Sequence, residues 1–114
     1  MRQAGVLAAA GIVALEKMVS RLGQDHTRAR MLAEGLSKNP GLVLDAGTPA
    51  TNMIFMNLAD TISLSAEEVT KKMKEHGILV GVAGARRFRL VMHCWINDEG
   101  VEKAVAAFGD VLAN

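Results

Sequence analysis

The sequence predicts an α/β fold of the α+β kind. It is a small antiparallel sheet of about four strands, covered by helices on one face and preceded by a long apolar N-terminal helix. Three observations predict it. Apolar residues recur at helical and then strand spacing, in the order helix, helix, strand, strand, helix, strand, strand, helix. Short Gly- or Pro-containing connections join the members of each strand pair, which reads as antiparallel pairing. Aromatic side chains are few while Ala, Val, Leu and Met dominate, which favours helices packed on a sheet over an aromatic β core.

A length of 114 residues fits one domain or part of one. The net charge of +1 supplies no long-range field toward nucleic acid or membranes, so neither is expected as a partner. Cys94 is the one cysteine, which rules out an internal disulfide and a Cys-rich metal site and makes a reducing, cytoplasmic setting the expectation.

The opening stretch, residues 4–15, is apolar nearly all round. Ala4, Ala8 and Gly11 share one helix face and allow close backbone approach, while Val6, Leu7, Ile12, Val13 and Leu15 cover the remaining arc. Such a helix must be buried, and so short a chain can hardly surround it unaided. Arg2 and Gln3 sit at its N-terminus, a corner suited to an anion. It is too short and too broken by Ala and Gly to span a membrane. The helical period runs on through Leu22 without a processing site, so the segment reads as mature structure.

A break is expected between Ser20 and Gly23, after which Asp25 offers an N-cap for an amphipathic helix over 26–36 with Ala29, Leu32, Ala33 and Leu36 inward. Asn39, Pro40 and Gly41 end it. Residues 42–45 form a short strand and 51–58 a clearer one, separated by a loop. Ser65 and Glu68 make a capping box opening a helix with Val69 and Met73 inward and Gly77 as its stop. Residues 78–82 and 88–95 are the second strand pair, joined by a turn. Asn97 or Asp98 caps a last helix with Val101, Ala104, Val105, Phe108 and Val111 inward.

Strand parity puts Arg89, Val91 and His93 on one face and Phe88, Leu90 and Met92 on the other. A guanidinium on a rigid strand suits bidentate capture of a carboxylate, although an edge-strand arginine pointing to water fits the same pattern. Arg86 and Arg87 read as solvated turn residues. His93 has no carboxylate partner nearby in sequence, and His26 and His76 fall on helix surfaces. Cys94 reads as a half-buried, inert thiol. Paired acid/base residues, a P-loop, a Ser/His/Asp pattern and basic–aromatic interleaving are all missing.

Several of these segments together resemble one family. Met1-Arg2-Gln3-Ala4-Gly5 with the Ala-rich run after it, Asp25-His26, and Thr51-Asn52-Met53 are similar to the C-terminal part of the pyridoxal-phosphate-dependent threonine aldolases. Arg89-Leu90-Val91-Met92-His93 resembles that family's Arg-Leu-Val-Thr-His strand. The resemblance spans essentially the whole chain. It implies the fold type I, aspartate aminotransferase-like architecture, with residues 1–22 as an interface or linking helix and 23–114 as the C-terminal small domain.

The implied activity is cleavage of L-threonine or L-allo-threonine to glycine and acetaldehyde through an aldimine with pyridoxal 5'-phosphate. The cofactor's ring takes up the electrons of the broken bond. By resemblance, Arg89 fixes the substrate carboxylate and Arg2 reaches the cofactor near its phosphate, with His93 and Asn52 as secondary candidates. The implied partners are an N-terminal large domain and further copies in a homodimer or homotetramer. Two departures stand out. Met92 replaces the family's Thr, and the Schiff-base lysine, the aspartate for the pyridine nitrogen and the ring-stacking residue have no counterpart, so the segment alone is expected to be inactive. A non-catalytic interaction module and a small-ligand-binding α/β domain remain the alternatives.

Overall fold

The computed structural model describes residues 4–47, 49, 51–93 and 95–113. Arg2 and Cys94 lie outside them, as do the roles expected of each.

The chain opens with α1 (Ala4–Val13), passes through a π turn (Ala14–Met18) and a 3-10 turn (Val19–Arg21), and continues as α2 (Leu22–Ser37). The expected break between Ser20 and Gly23 does not occur. The caps between these segments stay in right-handed helical geometry, so one helical rod runs from Ala4 to Ser37. Asp25 is therefore no N-cap. It lies within α2, only 3% exposed, and its carboxylate accepts hydrogen bonds from the Arg21 guanidinium at 3.2 and 2.7 Å.

β1 (Leu42–Leu44), β2 (Met53–Leu58), β3 (Gly81–Gly84) and β4 (Arg87–Val91) form a wholly antiparallel sheet in the order β1-β2-β4-β3. α3 (Ala66–Glu75) lies between β2 and β3, and α4 (Asp98–Leu112) ends the chain. Ile54, Met56 and Leu58 of β2 and Phe88 and Leu90 of β4 face the helices. There they join one core with Leu32 and Leu36 of α2, Val69 and Met73 of α3, and Val101 and Phe108 of α4. Phe88 and Phe108 meet edge to face at 5.9 Å, the favoured arrangement of two ring quadrupoles. α4 also buries Ala107 and Leu112, with Ala104 and Val105 at the core's margin.

The caps explain the strand limits. Ser65 Oγ accepts from the Glu68 amide and the Glu68 carboxylate accepts from the Ser65 amide, the predicted box. At the other end Gly77, at φ +78°, takes the left-handed position that a side chain resists. Its amide donates to Lys74 and that of Ile78 to Met73, closing α3 in a Schellman motif. Ile78 is thus engaged in capping, and β3 starts at Gly81 rather than Ile78. β4 stops at Val91, short of the expected Trp95. The Met92 amide still donates to the Asn52 carbonyl, but the His93 carbonyl then accepts from Ile96 and the chain turns.

α1 buries nothing among the described residues. Val6 is 70% exposed and Leu15 73%, with Leu7, Ile12 and Val13 also open. The rod of 34 residues, at about 1.5 Å per residue, accounts for the 51 Å long axis of a molecule only 28 × 25 Å across.

Candidate functional site

With the helices on one face, the opposite sheet face is left open, bearing Met53, Phe55 and Asn57 of β2 beside Arg87, Arg89 and Val91 of β4. Three arginines crowd one end of this sheet, and their fates differ.

Arg86 is no solvated turn residue, contrary to the sequence reading. Its guanidinium donates to the carbonyls of Ala59 at 2.8 Å, Ile62 at 2.6 Å and Leu64 at 3.3 Å, tying down the loop between β2 and α3. Arg87 is likewise engaged. It donates to both oxygens of Asp45, at 3.1 and 2.6 Å, and lies 5.2 Å over the Phe55 ring. The Arg87 hydrogen bonds hold the Asp45 carboxyl below its ordinary pKa and raise that of Arg87 itself. Local sequence carries no sign of either arrangement, because the acceptors stand 22 to 42 residues away.

Arg89 differs. It is exposed on the open face, opposite Phe55 on one side and Gly81 on the other, and its side chain makes no hydrogen bond or ion pair among the described residues. Gly81 is needed there, since a Cβ would stand 3.0 Å from the Arg89 carbonyl oxygen. The arrangement offers a strand-mounted, uncompensated fork of donors, which suits a carboxylate.

Asn52 closes the neighbouring rung. Its amide side chain donates to the Met92 carbonyl at 2.8 Å, so it braces the end of β4. His93, two residues past the end of β4, is exposed. Its Nδ1 accepts from the Trp95 amide at 3.2 Å, and its ring meets Trp95 edge-on at 5.9 Å. In the neutral ring the hydrogen then sits on Nε2. Trp95, 86% exposed and unremarked in the sequence reading, is thus held by His93. His26 is half-buried on α2, and His76 is the exposed C-cap of α3.

The strands carry no lysine. Lys17, Lys38, Lys71, Lys72, Lys74 and Lys103 belong to helices or their ends. Among the described residues no group of His, Cys, Asp and Glu is disposed to hold a metal ion. No helix among them is long and apolar enough to cross a membrane.

Comparison with known proteins gives a consistent picture. A profile of the β-eliminating lyase family matches residues 1–61. Low-specificity L-threonine aldolase 1 of Arabidopsis thaliana is 40% identical over 112 residues, covering 98% of this chain and 31% of that protein. The low specificity L-threonine aldolase of Escherichia coli K12 is 34% identical over 113 residues, covering 99% of this chain and 32% of that one. The chain thus spans about a third of the length of the curated relatives it matches. Among solved structures, the cystine C-S lyase C-DES in complex with cysteine persulfide superposes with a TM-score of 0.71. The identity is 20%, over 93% of this chain and 28% of that one. That likeness concerns the fold.

Proposed function

Since the chain belongs to the β-eliminating lyase family, we propose that it is the substrate-gripping part of a pyridoxal-phosphate-dependent carbon–carbon lyase. The complete enzyme would cleave L-threonine and L-allo-threonine to glycine and acetaldehyde. The observation that carries this reading is the contrast among the three arginines at this part of the sheet: Arg86 and Arg87 donate to internal acceptors, and the Arg89 side chain faces outward without one among the described residues. Its fork would hold the substrate carboxylate and so set which bond at Cα is cleaved.

The described residues fit a substrate carboxylate but do not form a cofactor cradle. No strand carries a lysine, and none shares Arg89's sheet face. When bound in the complete enzyme, pyridoxal phosphate supplies an electron sink for the carbanion left by bond cleavage. The covalent lysine would come from a large domain outside this chain, and the isolated segment would be inactive. Arg2 would approach the cofactor phosphate. Residues 1–22 would link the two domains, and 23–114 would be the small domain. Asn52 and His93 would serve at one remove, steadying the end of β4.

The exposed apolar residues of α1 support assembly with a partner surface. The assembly proposed is a homodimer or homotetramer, and the setting proposed is the cytoplasm. The same helix also favours the second reading, a non-catalytic module that docks on another subunit. Replacing the matching 112 residues of the Arabidopsis aldolase with this chain separates the two. The proposal expects a folded, cofactor-loaded chimera that releases acetaldehyde from L-allo-threonine. A loaded chimera with no acetaldehyde release supports the docking module instead. In parallel, borohydride treatment of the isolated chain with pyridoxal phosphate is expected to leave no specifically modified lysine.

A further inference from the structure

The turn between β4 and α4 is clamped at both ends. On the near side, the Met92 amide donates to the Asn52 carbonyl at 2.9 Å and the Asn52 side-chain amide donates to the Met92 carbonyl at 2.8 Å. On the far side, the Arg28 guanidinium donates to the Ile96 carbonyl at 2.9 Å and to the Asp98 carboxylate at 3.0 Å, and Asn97 caps α4. Between the clamps the Ile96 amide donates to the His93 carbonyl at 3.0 Å, and Trp95 stands out from the turn into solvent.

What pins Trp95 within this frame is a titratable ring. Its amide donates to His93 Nδ1 at 3.2 Å, and the two rings meet edge-on at an interplanar angle of 89°. A ring nitrogen accepts only while it carries no proton, and imidazolium donates from both nitrogens. Protonation therefore sets two donors against each other, and histidine is the side chain that ordinarily changes charge between pH 5 and 8. The other charged and titratable groups on the elements around the turn are Arg89 of β4, Asp25, His26 and Arg28 of α2, and Asp98, Glu99 and Lys103 of α4. Asp25 is taken by Arg21 and Asp98 by Arg28, and no ion pair joins His93 to a carboxylate among the described residues. A protonated ring thus gains no anion to hold it in its present place.

We propose that the turn between β4 and α4 is a pH switch: the neutral His93 ring pins Trp95, and the protonated ring releases it while the clamps at Met92 and Ile96 keep β4 and α4 in place. The switch re-aims the one tryptophan of the chain, a residue type that anchors protein contacts when exposed. It stands apart from the lyase reading, because its test follows backbone amides of the chain itself and involves no turnover. Hydrogen exchange and ring–ring cross-relaxation are measured by nuclear magnetic resonance on the nitrogen-labelled 114-residue chain, at about pH 7.5 and about pH 5.

Corrected for the intrinsic effect of pH on exchange, the Trp95 amide is expected to lose about fivefold in protection at the lower pH, and the contact between the His93 and Trp95 rings is expected to vanish. The amides of Met92 and Gly100, bonded to Asn52 and Asn97, are expected to keep their protection. His93→Asn supplies an acceptor that does not titrate and that suits a bond to the amide two residues on, so it is expected to hold Trp95 alike at both pH values. His93 is exposed, so His93→Ala leaves the core intact and is expected to leave the Trp95 amide unprotected throughout. A Trp95 amide already unprotected at the higher pH, or equally protected at both, would overturn the proposal. A loss that persists in His93→Asn would place the titrating group elsewhere, and a loss shared equally by Met92 and Gly100 would be general loosening; either overturns it as well.

Discussion

Arg87 and Asp45 form a two-pronged ion pair across the open sheet face, Nη1 to Oδ1 at 3.1 Å and Nη2 to Oδ2 at 2.6 Å. The pair joins β4 to the end of β1 across β2, and it neutralises the cation two residues from Arg89. Because side chains two apart on a strand share a face, Arg87 without Asp45 would compete with Arg89 for any anion. The carboxylate thus leaves one fork on β4 available.

The same pair fixes a pH dependence. Asp45 has a folded-state pKa below its ordinary value, chiefly through the Arg87 hydrogen bonds. The stabilisation is therefore present above the ordinary carboxylate pKa and lost as pH falls through the depressed one. The urea midpoint of the native chain should exceed that of Asp45→Asn near neutrality, and the gap should narrow as pH falls below the ordinary carboxylate range. A gap that stays constant down to pH 2 would mean the pair adds nothing. Both side chains are about a third exposed, so the effect should also shrink in high salt.

Gly35 and Val105 hold α2 against α4. A Cβ on Gly35 would meet Val105 Cγ2 at 2.7 Å, closer than real Cβ contacts allow. Gly35→Ala gains helix propensity of roughly 1 kcal/mol but overpacks the contact, so a net loss of about 1–2 kcal/mol is expected. Adding Val105→Ala should recover much of it, a coupling that a double-mutant cycle in urea reads directly. Additive effects would show that α2 and α4 do not meet at this point.

Arg86 is expected to matter for folding rather than for ligand binding. Arg86→Ala strands the carbonyls of Ala59, Ile62 and Leu64 and should cost about 1–3 kcal/mol. Arg86→Lys should recover little, since an ammonium cannot reproduce the planar fork. Hydrogen exchange should quicken first at the amides of Ala59 and Ile62, which the loop's own bonds involve.

What the sequence made legible was local. The Ser65–Glu68 box and the Gly77 stop involve partners within a few residues, and strand parity alone separates Arg89 from Phe88 and Leu90. Arg86 and Arg87 looked solvated because their acceptors lie far along the chain. Asp25 looked like an N-cap because capping residues recur before apolar stripes, yet the helix ran through it and Arg21 met its carboxylate instead. The late start of β3 at Gly81 was invisible for a similar reason, because it follows from how Ile78 closes α3 rather than from any motif.

The central claim is that the unpaired Arg89 fork grips a substrate carboxylate, and a comparison of acid with amide tests it most directly. In the Arabidopsis chimera, kcat/KM for L-allo-threonine and for its carboxamide is measured with Arg89 and with Arg89→Ala. Loss of a bidentate charged contact should lower the value for the acid about a hundredfold while leaving the amide nearly unchanged. Equal losses for both compounds, or an acid rate kept within about twofold, would contradict the account.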